Sequence, residues 1–228
     1  PSDFELIEAA MPEPGPGEVL VRNIYLSVDP YMRGRMTPGV ISYVPPFELG
    51  KPMEGGAVGQ VVASNNDKVA EGEFVLSMLG WREYFTINGQ AVQKLDPSIA
   101  PISTFLGVLG LPGMTAYAGL LHVAELKEGE NVFVSAASGA VGGVVGQIAR
   151  IKGCRAVGSA GSAEKVAYLK DELGFDAAFN YKDGKIGAAI AETCPDGIDV
   201  YFENVGGETL EAVLDNINLN ARIAVCGM

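Results

Sequence analysis

With a single histidine, His122, and only three cysteines, Cys154, Cys194 and Cys226, the sequence has no plausible four-ligand zinc site. The cysteines are odd in number, widely spaced and free of any C-x-x-C pair, which suits a reduced, cytoplasmic setting. Cationic side chains are scarce as well. Sixteen Lys and Arg face 28 Asp and Glu, a formal charge of −12, so no basic field attracts nucleic acid or an anionic membrane surface. Long unbroken apolar runs are missing too. Two stretches carry no formal charge, 97–124 and 131–149. The first is interrupted by Pro101, Pro112 and four glycines, and the second by Gly139, Gly142, Gly143 and Gly146. A membrane helix needs about 20 predominantly apolar residues in a row, so both read as buried elements of a soluble domain. The chain does not open on Met and shows no signal-peptide pattern.

What is present is core. The 228 residues are 48% hydrophobic and 19% charged, enough for two small domains and too apolar for a disordered chain. The first stretch, 1–105, is punctuated by Pro and Gly and by short β-rich runs at 18–25, 56–63 and 73–77. Turn signals such as Glu13-Pro-Gly-Pro-Gly17 and Val44-Pro-Pro46 bound them, and a Gly-Glu pair at Gly17, Gly72 and Gly129 launches a strand each time. Strands without long helical periodicity predict a small, partly open β-barrel.

From 106 to 228 the rhythm changes. A helix is expected at 112–122 behind its proline start, followed by alternating strands and helices. The strands are expected at 131–136, 155–159, 177–180, 198–203 and 221–227. The helices are expected at 141–152, 163–173, 185–193 and 208–217. This alternation predicts βαβ units and a doubly wound parallel sheet of Rossmann type. Such a sheet commonly has about six strands. Five are visible here, so the sequence reads as incomplete at its C-terminus, with roughly 30 residues of a further crossover and strand still to come.

The sharpest local signal is Ser135-Ala-Ala-Ser-Gly-Ala-Val-Gly142, set between a strand and a helix. Gly139 lets backbone approach a pyrophosphate, Gly142 lets helix and strand pack closely, and Ala137 stands in for the first glycine of G-x-G-x-x-G. Ser138, Ala140 and Val141 complete the turn, whose helix N-terminus offers free N–H groups to phosphate. The end of the second strand chooses the coenzyme. An NAD site needs a carboxylate there to hold the ribose 2′-hydroxyl. Here Arg155-Ala-Val-Gly-Ser159 runs into Gly161, Ser162 and Lys165 instead, a backbone N–H, a hydroxyl and a cation that fit the 2′-phosphate of NADP(H). The plainer alternative is that Ser162 only caps the next helix and Lys165 is a solvated charge.

Several runs resemble a known family. They are Tyr25-Leu-Ser-Val-Asp-Pro-Tyr-Met-Arg-Gly-Arg35, Gly110-Leu-Pro-Gly-Met-Thr-Ala-Tyr117, the Ser135–Gly142 turn, Asn180-Tyr-Lys182 and Glu203-Asn-Val-Gly-Gly207. Taken in order over the whole chain, they resemble the zinc-independent medium-chain dehydrogenase/reductases. Within that family they resemble the NADPH-dependent double-bond reductases, which include the prostaglandin/leukotriene, plant alkenal and bacterial curcumin reductases. The resemblance implies a GroES-like barrel domain beside the Rossmann domain, with the active site in the cleft. It also implies hydride transfer from NADPH to the β-carbon of an α,β-unsaturated ketone or aldehyde. Met114 and Thr115 would then lie near the nicotinamide, Gly139 to Gly142 at the pyrophosphate, and Lys165 and Tyr181 at the 2′-phosphate. Asn204, Cys226 and Gly227 would line the ribose–nicotinamide end, and Tyr31 would face substrate. A tyrosine that the family places near the substrate carbonyl would fall after Met228, and the family also implies a homodimer.

Each residue also has a plainer reading. His122, late in an apolar helix, reads as structural. Tyr31 could pack on the barrel, Tyr181 could be a surface aromatic, and Trp81 could fill the barrel or wall a cleft. Cys154 and Cys226 read as small core residues. A quinone reductase of the same superfamily, or a catalytically silent NADPH-binding protein, would share most of these features.

Overall fold

The computed structural model describes residues 3–37, 39 and 44–227. The chain packs as two units, Pro1–Leu106 and Gly107–Met228.

The first unit is a five-stranded antiparallel sheet. Its strands are β1 (Glu18–Leu26), β2 (Ala57–Ser64), β3 (Phe74–Ser77), β4 (Tyr84–Asn88) and β5 (Gln93–Leu95), in the order β4-β1-β2-β3-β5. Alternate residues of β1 point inward, so Val19 and Val21 meet Val61, Val69, Val75 and Phe85 in one apolar core. Register shifts at Leu20/Val21 and Asn23/Tyr25 put bulges in β1, which bend the strand and curve the sheet. Among the described residues β4 and β5 do not pair, so the expected barrel is partly open. Both were too short to announce themselves by alternation.

Helix α1 (Tyr31–Arg35), a single helical turn within the Asp-Pro-Tyr-Met-Arg run, was not among the expected elements. The turn is anchored by Arg35, which is 7% exposed. Its Nε donates to Pro45 O at 2.7 Å, its guanidinium meets Glu54 at 3.0 Å, and its Cζ lies 3.9 Å from the centre of the Phe47 ring. Trp81 stacks on Phe4 within this unit, with 6.1 Å between ring centroids.

The second unit is an all-parallel sheet with helices on both faces. Its elements are α2 (Leu111–Ala118), β6 (Asn131–Val134), α3 (Gly142–Ile151), β7 (Arg155–Ala160), α4 (Ala163–Asp171), β8 (Ala177–Asn180), α5 (Ile186–Thr193), β9 (Ile198–Glu203), α6 (Gly207–Leu214) and β10 (Ile217–Val225). The strand order, β10-β9-β6-β7-β8, is the doubly wound order, with its reversal between β6 and β9. Ala116, Leu120, Val145, Ala149 and Leu169 of α2, its extension, α3 and α4 cover one face, together with Phe202. Ile190 of α5 and Val213 of α6 cover the other, around Phe133, Tyr201 and Phe179. Val132, Phe133 and Val134 are each 0% exposed, the signature of a strand buried on both faces. The Rossmann expectation holds.

Boundaries shift by a few residues at several elements, and two of the shifts change what the element is. The helix expected at 112–122 is α-helical only to Ala118 and continues as a π-helical turn over Gly119–Val123. Strand β10 begins at Ile217 rather than 221, and a register shift before Arg222 accompanies the positive φ of 64° at Asn220. No helix among the described residues is long and apolar enough to cross a membrane.

Arg222 ties three segments together. Nε and Nη2 donate to the carbonyls of Ala124 and Glu125 at 2.9 and 3.0 Å, and Nη1 and Nη2 grip both oxygens of Glu130 at 2.8 and 2.6 Å. Burial alone would raise the Glu130 carboxyl, but the hydrogen bond from Arg222 and the Lys127 N–H outweigh it and hold the carboxyl below its ordinary 4.5. A depressed folded-state pKa contributes stability above the unfolded value and loses it as pH falls through the folded one. Arg222→Ala should therefore cost about 1.5–3 kcal/mol at pH 7. It should also flatten the loss of stability below about pH 4.5, as read from urea midpoints at pH 7, 5 and 3.5.

Candidate functional site

Every parallel strand of the second unit ends on the same edge, and all the candidate residues but Tyr31, Met114 and Thr115 follow those ends in turn. After β6 the chain makes a sharp turn in which Ala136 takes a positive φ of 48°. Ala137 N–H is tied to Ser159 O on β7, and Gly139 N–H to Ala136 O, both at 2.9 Å. Gly142 then opens α3 so close to the turn that an added Cβ would lie 2.6 Å from Ala136 O and 2.8 Å from Ala137 Cα. No side chain caps α3, whose N-cap position is Val141. Among the described residues the N–H groups of Ala140, Val141 and Gly142 make no hydrogen bond. Gly139 and Ala140 are exposed, with Ser138 and Val141 half-buried beside them. Unsatisfied N–H groups at the start of a ten-residue helix, beneath an open glycine turn, fit a phosphate.

At the ends of β7 and β8, Gly161 and Tyr181 are in contact. An added Cβ on Gly161 would sit 3.0 Å from the Tyr181 hydroxyl, and Tyr181 N–H donates to Ala160 O at 3.1 Å. Ser162 does cap α4, accepting from Lys165 N–H at 3.3 Å, as the plainer reading had it. The cap engages only the Lys165 main chain. The Lys165 side chain is exposed and has no ion-pair partner among the described residues. Lys182 Nζ lies 5.7 Å from the centre of the Tyr181 ring, adding a second cation. No carboxylate follows directly on β7, since Ala160, Gly161 and Ser162 occupy its end.

The end of β9 holds a polar cluster that sequence reasoning did not find. Ser135 and Glu203 are each 0% exposed. The Ser135 hydroxyl donates to Glu203 Oε1 at 3.2 Å and accepts from Tyr201 OH at 3.1 Å and from Asn204 N–H at 2.9 Å. Burial, with the Glu203 carboxylate adding to it, pushes the Tyr201 phenol far above its usual range, so it is a fixed donor. Asn204 Nδ2 donates to Ser135 O at 2.8 Å, and its Oδ1 has no hydrogen-bond partner among the described residues. The signal in sequence was a Tyr and a Glu at the buried carboxyl end of the strand Ile198–Glu203.

Cys226 corrects one reading. It is exposed rather than a core residue, because it lies just past β10 at the shared edge, followed by the half-buried Gly227. Cys154 is buried as expected, and its thiol donates to Lys127 O at 3.1 Å.

Helix α2 runs against the strands. Gly119 abuts the Phe202 ring, 2.7 Å from where a Cβ would stand, and Ala124 O takes Arg222, which pairs with Val200 lower on β9. Met114, five residues before Gly119, therefore lies toward the carboxyl edge. Met114 is 64% exposed there and Thr115 half-buried. His122 lies at the opposite end of this helix, exposed and tilted against Tyr117. Tyr31 opens α1 in the first unit and is half-buried.

Among the described residues, no group of three or more His, Cys, Asp or Glu is placed to hold a metal ion. The family described as N-terminal domain of oxidoreductase matches residues 1–95, and the one described as zinc-binding dehydrogenase matches 140–228. The chain is 52% identical to the 2-alkenal reductase (NADP(+)-dependent) of Nicotiana tabacum, over 100% of this chain and 68% of that protein. It is 47% identical to the NADPH-dependent curcumin reductase of Escherichia coli, over 100% of this chain and 66% of that one. The crystal structure of CurA in complex with NADPH from Vibrio vulnificus superposes with a TM-score of 0.93 at 46% identity, over 99% of this chain and 66% of that one. The chain spans about two thirds of the length of the relatives it matches. It belongs to the medium-chain dehydrogenase/reductase family, in the branch of the NADPH-dependent alkenal/one double-bond reductases.

Proposed function

We propose that this chain serves an NADPH-dependent reductase of α,β-unsaturated ketones and aldehydes. The observation that carries the reading is the carboxyl edge of the second unit. An open turn with three unbonded N–H groups stands beside a second-strand end that offers Gly161, Ser162 and Lys165 and no carboxylate. When bound, NADPH supplies the hydride that reaches the substrate β-carbon. Ala140, Val141 and Gly142 N–H groups hold the pyrophosphate, and Lys165, with Gly161, Ser162 and Tyr181, holds the 2′-phosphate. Asn204, Cys226 and Gly227 line the ribose–nicotinamide end, with Met114 and Thr115 beside them.

In this reading the first unit is the substrate domain, and Tyr31 faces substrate. Conjugate reduction places negative charge on the substrate oxygen, where a hydroxyl or N–H donor stabilises it. A cytoplasmic setting and a homodimer go with the reading, the latter checked by sedimentation velocity.

The test follows NADPH oxidation by the full-length protein with a 2-alkenal and with a diaryl enone, using NADH as the control. Turnover with NADPH and little with NADH is the expected result. Turnover of quinones alone would replace it with a quinone reductase. NADPH binding without turnover of any of these would make the chain part of a silent coenzyme binder.

A further inference from the structure

Glu203 closes β9 and joins both segments that flank the proposed ribose–nicotinamide end. Its Oε1 accepts from Val205 N–H at 2.6 Å, from Gly206 N–H at 2.8 Å and from the Ser135 hydroxyl. Its main-chain carbonyl accepts from Cys226 N–H at 2.9 Å and from Gly227 N–H at 3.0 Å. The 204–206 turn after β9 and the 226–227 segment after β10 are therefore pinned to one residue. The same Ser135 that bonds to Glu203 takes Asn204 from both sides, through its N–H and its Nδ2. The backbone conformation this needs is special, because Gly206 and Gly207 hold positive φ values of 68° and 56° as the chain folds back over the carboxylate.

A buried carboxylate is costly unless hydrogen bonds compensate it, and an apolar side chain would fill this strand end with no such cost. What the carboxylate does that an apolar residue cannot is draw two successive N–H groups inward. That fixes the direction in which Asn204 leaves the sheet, at the point of strand-order reversal where ligands meet such folds. Asn204 then stands with Oδ1 free of any partner among the described residues. Glu203 Oε2 is buried without a partner among them, so one oxygen alone makes the side-chain joins.

We propose that Glu203 is a positioning residue for the nicotinamide half of the coenzyme, its carboxylate acting through the 204–206 turn and Asn204 without touching the ligand, while the main-chain carbonyl that any residue would keep holds Cys226 and Gly227. This rests on the coenzyme reading given above. It separates two halves of one ligand: the phosphate cradle and the β7–β8 end should be indifferent to the Glu203 side chain, and the turn after β9 that carries Asn204 should depend on it.

The test is calorimetric titration of the full-length protein with NADPH and with adenosine 2′,5′-bisphosphate, which lacks the nicotinamide half. Glu203→Ala should weaken NADPH about 10- to 50-fold and the bisphosphate less than about threefold. Glu203→Gln keeps an oxygen at the Oε1 position and should bring NADPH back to within about threefold of the unsubstituted protein. Should Glu203→Ala fail to fold, Ser135→Ala, which removes the Asn204 N–H acceptor, should show the same split. Proportional weakening of both ligands, or no weakening of either, overturns the positioning role. If the unsubstituted protein binds neither ligand, the coenzyme reading itself falls, an outcome visible before any variant is made.

Discussion

Gly142→Ala is expected to weaken NADPH binding by about 100-fold and to lower stability by about 1–3 kcal/mol. The added methyl would meet Ala136 O at 2.6 Å, Ala137 Cα at 2.8 Å and Ala136 C at 3.1 Å, all of them main-chain atoms. No side chain can rotate away. The turn between β6 and α3 must open, and the Ala140, Val141 and Gly142 N–H groups move with it. The binding loss should therefore exceed what the stability loss explains. Gly139→Ala makes an internal comparison, since its Cβ would meet a single oxygen at 3.1 Å, a contact that a small shift relieves. Its loss should be intermediate. NADPH fluorescence titration and urea midpoints measure the two effects separately, and a Gly142→Ala protein that binds like the unsubstituted one would remove the turn from the phosphate site.

Lys165→Ala should lower NADPH affinity by about 10- to 100-fold and leave NADH affinity unchanged. The cap of α4 survives this change, because Ser162 accepts from the Lys165 main-chain N–H rather than from the side chain. The side chain is exposed and unpaired among the described residues, so stability should stay within about 0.5 kcal/mol. A selective loss of the phosphorylated coenzyme then has one cause, the missing cation at the end of β7. Equal losses for both coenzymes would assign Lys165 to some other part of the ligand. No loss would hand the 2′-phosphate to Lys182 and Tyr181, which stack at the neighbouring strand end.

The alternation of 131–225 was legible because each element has its own short-range signature. Apolar triplets such as Val132-Phe-Val134 mark strands buried on both faces, and Ser162 marks a helix start. The candidate residues at the strand ends were legible for the same reason, since a parallel sheet delivers every strand's C-terminus to one edge. Elements whose stability is tertiary were hidden. Helix α1 depends on Arg35 reaching Pro45, Glu54 and Phe47, and the π-helical turn at Gly119 lies against Phe202 of another element. Cys226 was misread because an apolar neighbourhood in sequence says nothing of where the strand ends. The Ser135–Tyr201–Glu203 cluster joins residues more than sixty positions apart, and only the pairing of β6 with β9 brings them together.

In the proposed reading, the carboxyl edge of the second unit presents NADPH for conjugate reduction. That reading is tested most directly by giving the full-length protein NADPH carrying deuterium on the transferred position of C4, with a 2-alkenal, and locating the label in the product by NMR. Deuterium at the β-carbon of a saturated aldehyde, with a solvent proton at the α-carbon, is the predicted result. Deuterium at the carbinol carbon of an unsaturated alcohol would overturn this reading, because the hydride would then have been aimed at the oxygen-bearing carbon rather than at the double bond.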